Sequence, residues 1–118
     1  MNTFSGAATA TLDDNHTLAE LVAINNGTTN TITLNSNAVA LTGSAADIKA
    51  ALAGNVGDVY TGDVTLNDAN GTGIAATDIS TIAGDTTGDV TVSNEINITG
   101  TSAAVSYTHL TLPTTVSV

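Results

Sequence analysis

The feature that most constrains this chain is an internal repeat. Residues 17–47 align with residues 75–104, so that apolar, threonine and acidic positions recur about 58 residues apart. Each copy contains short alternating runs, and strands of that length cannot make a stable sheet alone. Repeats of this kind bury their apolar faces against neighbouring repeats. We therefore expect an α/β fold in which short strands alternate with short helices in a solenoid-like stack; an irregular β-solenoid or a β-sandwich is the alternative.

The repeat divides the chain into three segments. Residues 1–58 form the first copy, and residues 59–104 form a second, truncated copy. Residues 105–118 contain no Asp, Asn or Gly, and they read VSYTHLTLPTTVSV. This string resembles the translation of a transposase-based sequencing-library adapter, which in the same frame also supplies the stop codon. We expect this tail to be non-native and the chain to be a fragment whose natural sequence continues beyond Ala104.

Three segments carry the signals of helix ends. Thr17 and Glu20 have the spacing of a capping box, in which each side chain accepts a hydrogen bond from the other residue's backbone. Ser44 is a second expected cap, before residues 45–53, and the third helix is expected within residues 75–84. Glycine ends many helices, and the expected stops are Gly27, Gly54 and Gly84.

Short runs of alternating β-branched and polar residues predict the strands. They are residues 8–12, 31–34, 38–42, 63–66, 89–92 and 95–99.

The charge balance excludes several classes of partner. The sequence has one basic residue, Lys49, against eleven acidic residues, for a net charge of −10. Nucleic acids and anionic membrane surfaces attract proteins through Lys and Arg, so neither is an expected partner. Without a long apolar run, membrane insertion is not expected either. An acidic surface of this kind keeps a long repetitive protein soluble and self-repelling.

Calcium is the best cofactor candidate, because it binds carboxylate and carbonyl oxygens. Matching acidic segments occur in the two copies, and the candidate ligands are Asp13, Asp14, Asp68 and Asn70. The second segment has only part of a calcium-loop spacing and lacks a closing Glu. The competing interpretation is an Asx-turn, in which Asp and Asn side chains bind the local backbone.

Catalytic patterns are weak, and we expect a protein that is not an enzyme. His16 is the only histidine before the tail, and a lone loop histidine is expected to be solvated. No oxyanion motif accompanies it, so a Ser/His/Asp triad is not supported. The Gly71–Gly73 segment lacks the spacing and the lysine of a phosphate loop.

The pattern TTGDVTV…INITGTSAA resembles the Thr/Asp/Gly/Ala-rich tandem repeats of very large bacterial secreted or surface proteins of adhesin-like type. The resemblance covers about residues 9–104 and implies display or adhesion at an extracellular or cell-surface location. Its partners would be neighbouring repeats of the same chain and a surface glycan or protein. The alternative is an extracellular module that binds a glycan or another ligand, although only Phe4 and Tyr60 could stack on a sugar.

Overall fold

The computed structural model describes residues 8–53 and 56–100, together with the backbone of residues 110–111 and 116–117. Within these residues the helices are α1 (Leu18–Gly27), α2 (Ala45–Ala51) and α3 (Ala76–Asp85). The strands are β1 (Ala10–Thr11), β2 (Ile32–Thr33), β3 (Leu41–Gly43), β4 (Val64–Leu66), β5 (Gly73–Ala75), β6 (Val90–Val92), β7 (Asn97–Thr99), β8 (Leu110–Thr111) and β9 (Val116–Ser117). The predicted mixed α/β class is confirmed.

The first two helices begin where the sequence predicts. Thr17 Oγ1 accepts the backbone N–H of Glu20, and the Glu20 carboxylate accepts the N–H of Thr17 at 2.9 Å, which completes the capping box. Ser44 Oγ accepts the N–H of Asp47 at the start of α2. Helix α3 begins without a side-chain cap, because its N-cap residue is Ala75.

Two helices end at or next to the predicted glycines. Gly27 is the last residue of α1, and α3 ends at Asp85, one residue after Gly84; the C-cap residue is an extended threonine in both cases, Thr28 or Thr86. Among the described residues, positive φ angles occur at Gly71 and Gly100 and not at these glycines. A left-handed glycine cap is therefore not what ends either helix. The third predicted stop, Gly54, lies outside the described residues.

The strands pair in parallel over a nearly constant interval of sequence. The described strands form sheets with the orders β1-β2, β3-β4-β6-β8 and β5-β7-β9. Leu41 pairs with Val64, and Val64 pairs with Val90. Paired residues of neighbouring strands therefore lie about two dozen positions apart in the sequence. In the other strand pairs and bridges that precede β8, the paired residues are separated by a similar number of positions. Every strand pair in the described part is parallel, whereas β-sandwiches are built from antiparallel sheets.

The core lies between the strands and the helices. Ile79 and Ile82 of α3 are fully buried with Val64 and Val90 of the central sheet. Burial of one such side chain stabilises the fold by roughly 1.5–3 kcal/mol, so these aliphatic contacts dominate over surface pairs. Helix α1 contacts α2, and α2 contacts α3. The one basic side chain, Lys49 on α2, forms an exposed 2.7 Å ion pair with Asp78 on α3.

Candidate functional site

A concavity with several ionisable groups lies beside the start of α1. This groove, here the α1 groove, has a volume of about 320 Å³. It is lined by Leu12, Asp13, Asp14, Asn15, His16, Glu20 and Ile24. Two of the four predicted calcium ligands, Asp13 and Asp14, therefore lie in it, and both are exposed. Asp68 and Asn70 do not line it, so the structure does not bring the four candidates together in this groove.

Glu20 is held in the α1 groove by the capping box. Hydrogen bonds from Thr17 to its carboxylate lower the pKa of Glu20, because they favour the charged form. The carboxylate thus stays ionised at neutral pH while it accepts the backbone N–H of Thr17, the N-cap residue of α1. Its negative charge also acts on His16, which precedes the helix.

His16 is buried, not solvated as the sequence predicted. Only 4 % of the residue is exposed, and its Nε2 lies 2.9 Å from the hydroxyl oxygen of Tyr60. The Tyr60 hydroxyl donates to the carbonyl of Val39, so it accepts from His16. His16 is therefore the neutral tautomer that carries its proton on Nε2. The chain of hydrogen bonds from His16 through Tyr60 to Val39 joins three segments that are distant in sequence.

The other ring nitrogen of His16 is sealed off. Nδ1 is buried, and within the described part of the chain it has no hydrogen-bond partner. Burial lowers the pKa of His16, and the nearby charge of Glu20 opposes this effect without cancelling it. Burial likewise raises the pKa of Tyr60 to about 12. Both groups therefore stay neutral at pH 7.

Asp68 and Asn70 bind backbone groups of neighbouring segments. Asp68 Oδ2 accepts the N–H of Ala45 at 2.9 Å, at the first residue of α2. Asn70 Oδ1 accepts the N–H of Glu95 at 3.0 Å. The sequence offered local Asx-turns as the competing interpretation, but these partners are 23 and 25 positions away. Both side chains therefore connect successive segments of the structure.

Two threonines at matching positions of the two copies share one hydrogen-bonding pattern. Thr28 and Thr86 are buried directly after α1 and α3. The hydroxyl of Thr28 donates to the carbonyl of Ala8, and its oxygen accepts the N–H of Asn30. Thr86 donates in the same way to Gly62, at 2.7 Å, and accepts the N–H of Gly88. Each threonine thus links the end of its helix to the preceding segment.

A second, smaller concavity lies beside the end of α3. This α3 pocket, about 200 Å³ in volume, is lined by Leu52, Val56, Asp58, Val59, Tyr60, Gly84 and Asp85. Val59 is 67 % exposed, although it is a large apolar residue. Burial raises the pKa of the Asp85 carboxyl. Sequence reasoning missed this pocket, because no local pattern marks residues that meet only after α2 and α3 pack.

The structure bears on two kinds of site considered from the sequence, a metal site and a sugar-binding site. Within residues 8–53 and 56–100, no group of three or more His, Asp or Glu side chains is arranged to hold a metal ion. Calcium binding by Asp13, Asp14, Asp68 and Asn70 stays a prediction. Tyr60 is only 2 % exposed and cannot stack on a sugar from the surface. Phe4, the other aromatic considered for that role, lies outside the described residues.

Comparisons with known proteins do not identify a relative. No family model, no curated protein and no solved structure matches this chain. None of the helices in the described part is long and apolar enough to cross a lipid bilayer.

Proposed function

We propose that this chain is a non-catalytic structural segment of a secreted or cell-surface bacterial protein of adhesin-like type. Its role is that of a spacer and display scaffold, built as a solenoid-like stack of strand-and-helix units. The observation that carries the proposal is the parallel pairing of short strands at a nearly constant sequence interval. In such a stack, each unit buries its apolar face on the next and offers its own edge to another unit.

Side-chain hydrogen bonds support the same architecture. Many of them join residues 20 to 27 positions apart, as from Asn35 to Asn15 and from Asn94 to the carbonyls of Asn67 and Asp68. Asn, Asp, Ser and Thr side chains supply these bonds. The many polar residues of the chain therefore help to hold neighbouring segments together. The matching bonds of Thr28 and Thr86 support an origin of the two copies by internal duplication.

Shape and charge also favour a scaffold. The molecule measures 41 × 23 × 21 Å, so it is elongated. A net charge of −10 makes neighbouring copies repel each other, which keeps a long display protein extended and soluble.

An insertion experiment tests the stack. A second copy of residues 64–89, placed after Asp89, would add one unit and keep the Asp-Val junction that precedes both β4 and β6. Each inserted unit should lengthen the particle by about 4.8 Å, the spacing of paired strands, and leave its cross-section unchanged. Small-angle X-ray scattering measures both quantities, and a shuffled insert of the same composition is the control. A lower melting temperature with no regular lengthening would contradict the proposal.

A further inference from the structure

The dipeptide Asn-Gly occurs twice in this chain, as Asn26-Gly27 and as Asn70-Gly71. An asparagine before glycine loses its side-chain amide more readily than other asparagines, because glycine has no side chain to hinder its backbone nitrogen. That nitrogen attacks the side-chain carbonyl carbon of the asparagine, and a cyclic imide forms. The local structure determines which of the two pairs can reach this geometry.

Asn26 and Gly27 are the last two residues of α1, and Gly27 is buried. A helical backbone has fixed dihedral angles, which hold each amide nitrogen away from the side-chain carbon of the preceding residue. Attack of the Gly27 nitrogen on Asn26 would therefore require the end of α1 to unwind.

Asn70 and Gly71 form the corner of a β-turn. The N–H of Thr72 donates to the carbonyl of Ala69 at 3.1 Å, which closes the turn around the two residues. Gly71 has a φ of +82°, the left-handed conformation that a type II turn requires at this position. Both residues are exposed, and neither belongs to a helix or a strand. Water therefore reaches the Asn70 side chain, and its backbone is not fixed by regular structure.

One contact holds both reacting groups of this pair. The Gly71 N–H donates to the carbonyl of Glu95 at 2.7 Å, so the nitrogen that would attack keeps its proton and its orientation. The side-chain oxygen of Asn70 accepts the N–H of Glu95 at 3.0 Å, which fixes the amide carbon that would be attacked. These two hydrogen bonds are here called the Glu95 contact. Imide formation requires this contact to open.

We propose that Asn70 is a site of spontaneous covalent modification, at which deamidation through a cyclic imide with Gly71 occurs when the Glu95 contact opens. The new bond joins the Gly71 nitrogen to the side-chain carbon of Asn70. The bond from that carbon to the amide nitrogen breaks, and the nitrogen leaves as ammonia with the proton of the Gly71 N–H. Addition of water to one carbonyl of the imide gives aspartate, and addition to the other gives isoaspartate.

The isoaspartyl product prevents the Glu95 contact from forming again. Its main chain runs through the former side-chain carbon, so the path from the Cα atom of residue 70 to the Gly71 nitrogen is longer by a methylene group. It also adds a negative charge to a chain that already carries −10, at a contact with an acidic residue. Strand β5 begins at Gly73 and pairs with β7 from Asn97. The modification therefore loosens the start of this strand pair.

Peptide mapping by mass spectrometry of the full chain, incubated at pH 7.5, tests the proposal. Deamidation should accumulate at Asn70 and not at Asn26, and synthetic peptides of residues 67–73 identify the aspartyl and isoaspartyl products. The rate should be about tenfold or more below that of the unmodified synthetic peptide, because the Glu95 contact is closed most of the time. Equal rates in the chain and the peptide, or earlier reaction at Asn26, would overturn the proposal. Aspartate without isoaspartate would indicate direct hydrolysis and would overturn the imide route.

A variant that weakens the Glu95 contact sharpens the test. Asn94→Ala removes side-chain hydrogen bonds that hold the segment before Glu95, among them the bond to the carbonyl of Asp68 at 2.9 Å. Deamidation at Asn70 should become about fivefold faster, since loss of a typical hydrogen bond changes an opening equilibrium by about that factor. An unchanged rate at Asn70 would show that opening of this contact does not govern the reaction.

The matched control is Asn37→Ala, which removes the same kind of bond, to the carbonyl of Val59, from an earlier segment. It should leave the rate at Asn70 unchanged, and equal acceleration in both variants would assign the reaction to global unfolding and refute the proposal. If Asn94→Ala fails to fold, the unaltered chain in urea decides. Faster deamidation at urea concentrations below the unfolding transition supports opening of the Glu95 contact, and acceleration confined to the transition refutes it.

Discussion

The Nε2 atom of His16 lies 2.9 Å from the hydroxyl oxygen of Tyr60, 44 residues further along the chain. The same hydroxyl donates to the carbonyl of Val39, so one buried tyrosine satisfies two polar groups from two earlier segments. This connection is long-range and water-excluded, in contrast to the exposed pair of Lys49 and Asp78. It therefore offers a sensitive probe of how the first segments of the chain pack on the later ones.

Replacing the tyrosine hydroxyl should destabilise the protein markedly. Tyr60→Phe leaves the His16 donor and the Val39 carbonyl without their partner, and an unsatisfied buried polar group costs about 1–3 kcal/mol. Urea denaturation at pH 7.5 measures the loss. Thr61→Val is the matched control, because the Thr61 hydroxyl bond to Asn37 is exposed. We expect the control to lose less than about 1 kcal/mol. Equal losses in the two variants would contradict the buried role of Tyr60.

Acid should destabilise the fold through His16. Its folded-state pKa lies below the ordinary value of 6.5, because burial disfavours the charged form, so the unfolded chain binds the proton first. The contribution of His16 to stability is therefore complete above pH 6.5. It is lost as the pH falls from there through the lowered pKa, by up to about 1.4 kcal/mol per pH unit.

His16→Gln separates this effect from other titrations. Glutamine keeps an N–H donor for Tyr60 but has no proton to gain. Between pH 7.5 and 5.5, the free energy of unfolding should fall less in this variant than in the unaltered chain. An identical pH dependence in both proteins would show that His16 is not responsible. The groups that act on this imidazole are Glu20 and Tyr60, and Glu20→Gln should steepen the loss of stability.

Asp85 should oppose folding at neutral pH. Burial raises its pKa, so its contribution to stability is present at low pH and is lost as the pH rises above 3.8 through the raised value. Its charge also lies at the end of α3, where the helix dipole disfavours an anion. Asp85→Asn should therefore stabilise the protein at pH 7.5 by less than about 1 kcal/mol, since solvent partly screens the site.

The matched control for Asp85 is Asp58→Asn, an exposed residue of the same α3 pocket. It changes the net charge by the same amount but should leave the melting temperature nearly unchanged. A similar rise in both variants would assign the gain to overall charge repulsion, and not to the burial of Asp85.

Two glycines should respond in opposite directions to the same substitution. A Cβ atom at Gly88 would lie 2.6 Å from the carbonyl carbon of Gly62 and 2.8 Å from the backbone nitrogen of Asp63. Backbone atoms cannot rotate away as the end of a side chain can, so Gly88→Ala should lower the free energy of unfolding by about 1–3 kcal/mol. Gly84 lies inside α3, and a Cβ atom there would meet nothing within 4 Å. Gly84→Ala should therefore stabilise by about 0.5–1 kcal/mol. Thermal melting of both variants checks the pair, and a loss in both would contradict the geometry.

Calcium binding makes a distinct prediction. If the exposed carboxylates of the α1 groove bind calcium, millimolar calcium should raise the melting temperature, because a ligand that binds the folded state stabilises it. Asp13→Asn combined with Asp14→Asn should abolish the rise. Asp68→Asn should preserve it, because that side chain already accepts the N–H of Ala45. No shift in the unaltered chain would remove calcium from the candidate cofactors.

The sequence predicts local features well where the signal is local. Thr17 and Ser44 mark the starts of α1 and α2, because a helix cap needs only a side chain and a backbone donor three residues apart. Strands β4, β6 and β7 lie within predicted alternating runs. Strand β5 was missed, because the short run Gly73–Ala75 leads directly into α3 and shows no separate alternation.

Features that depend on distant partners were not predictable. His16 was expected in solvent, but its burial depends on Tyr60, 44 residues away. Asp68 and Asn70 have the composition of a turn or a calcium loop, yet their partners are Ala45 and Glu95. A single sequence does not indicate which distant segments pack together. The hydrogen-bond partners of these polar side chains can therefore be identified only when the pairing of the strands is known.

The position of Lys49 has a consequence for resistance to proteolysis. A protease that cleaves after Lys or Arg finds one such bond in this sequence, between Lys49 and Ala50. That bond lies within α2, and the lysine side chain is held by Asp78 of the next helix. Cleavage requires local unfolding of the helix, because a protease binds its substrate in an extended form. The lifetime of the chain among trypsin-like proteases is therefore set by how often α2 opens, and the contact with Asp78 works against that opening.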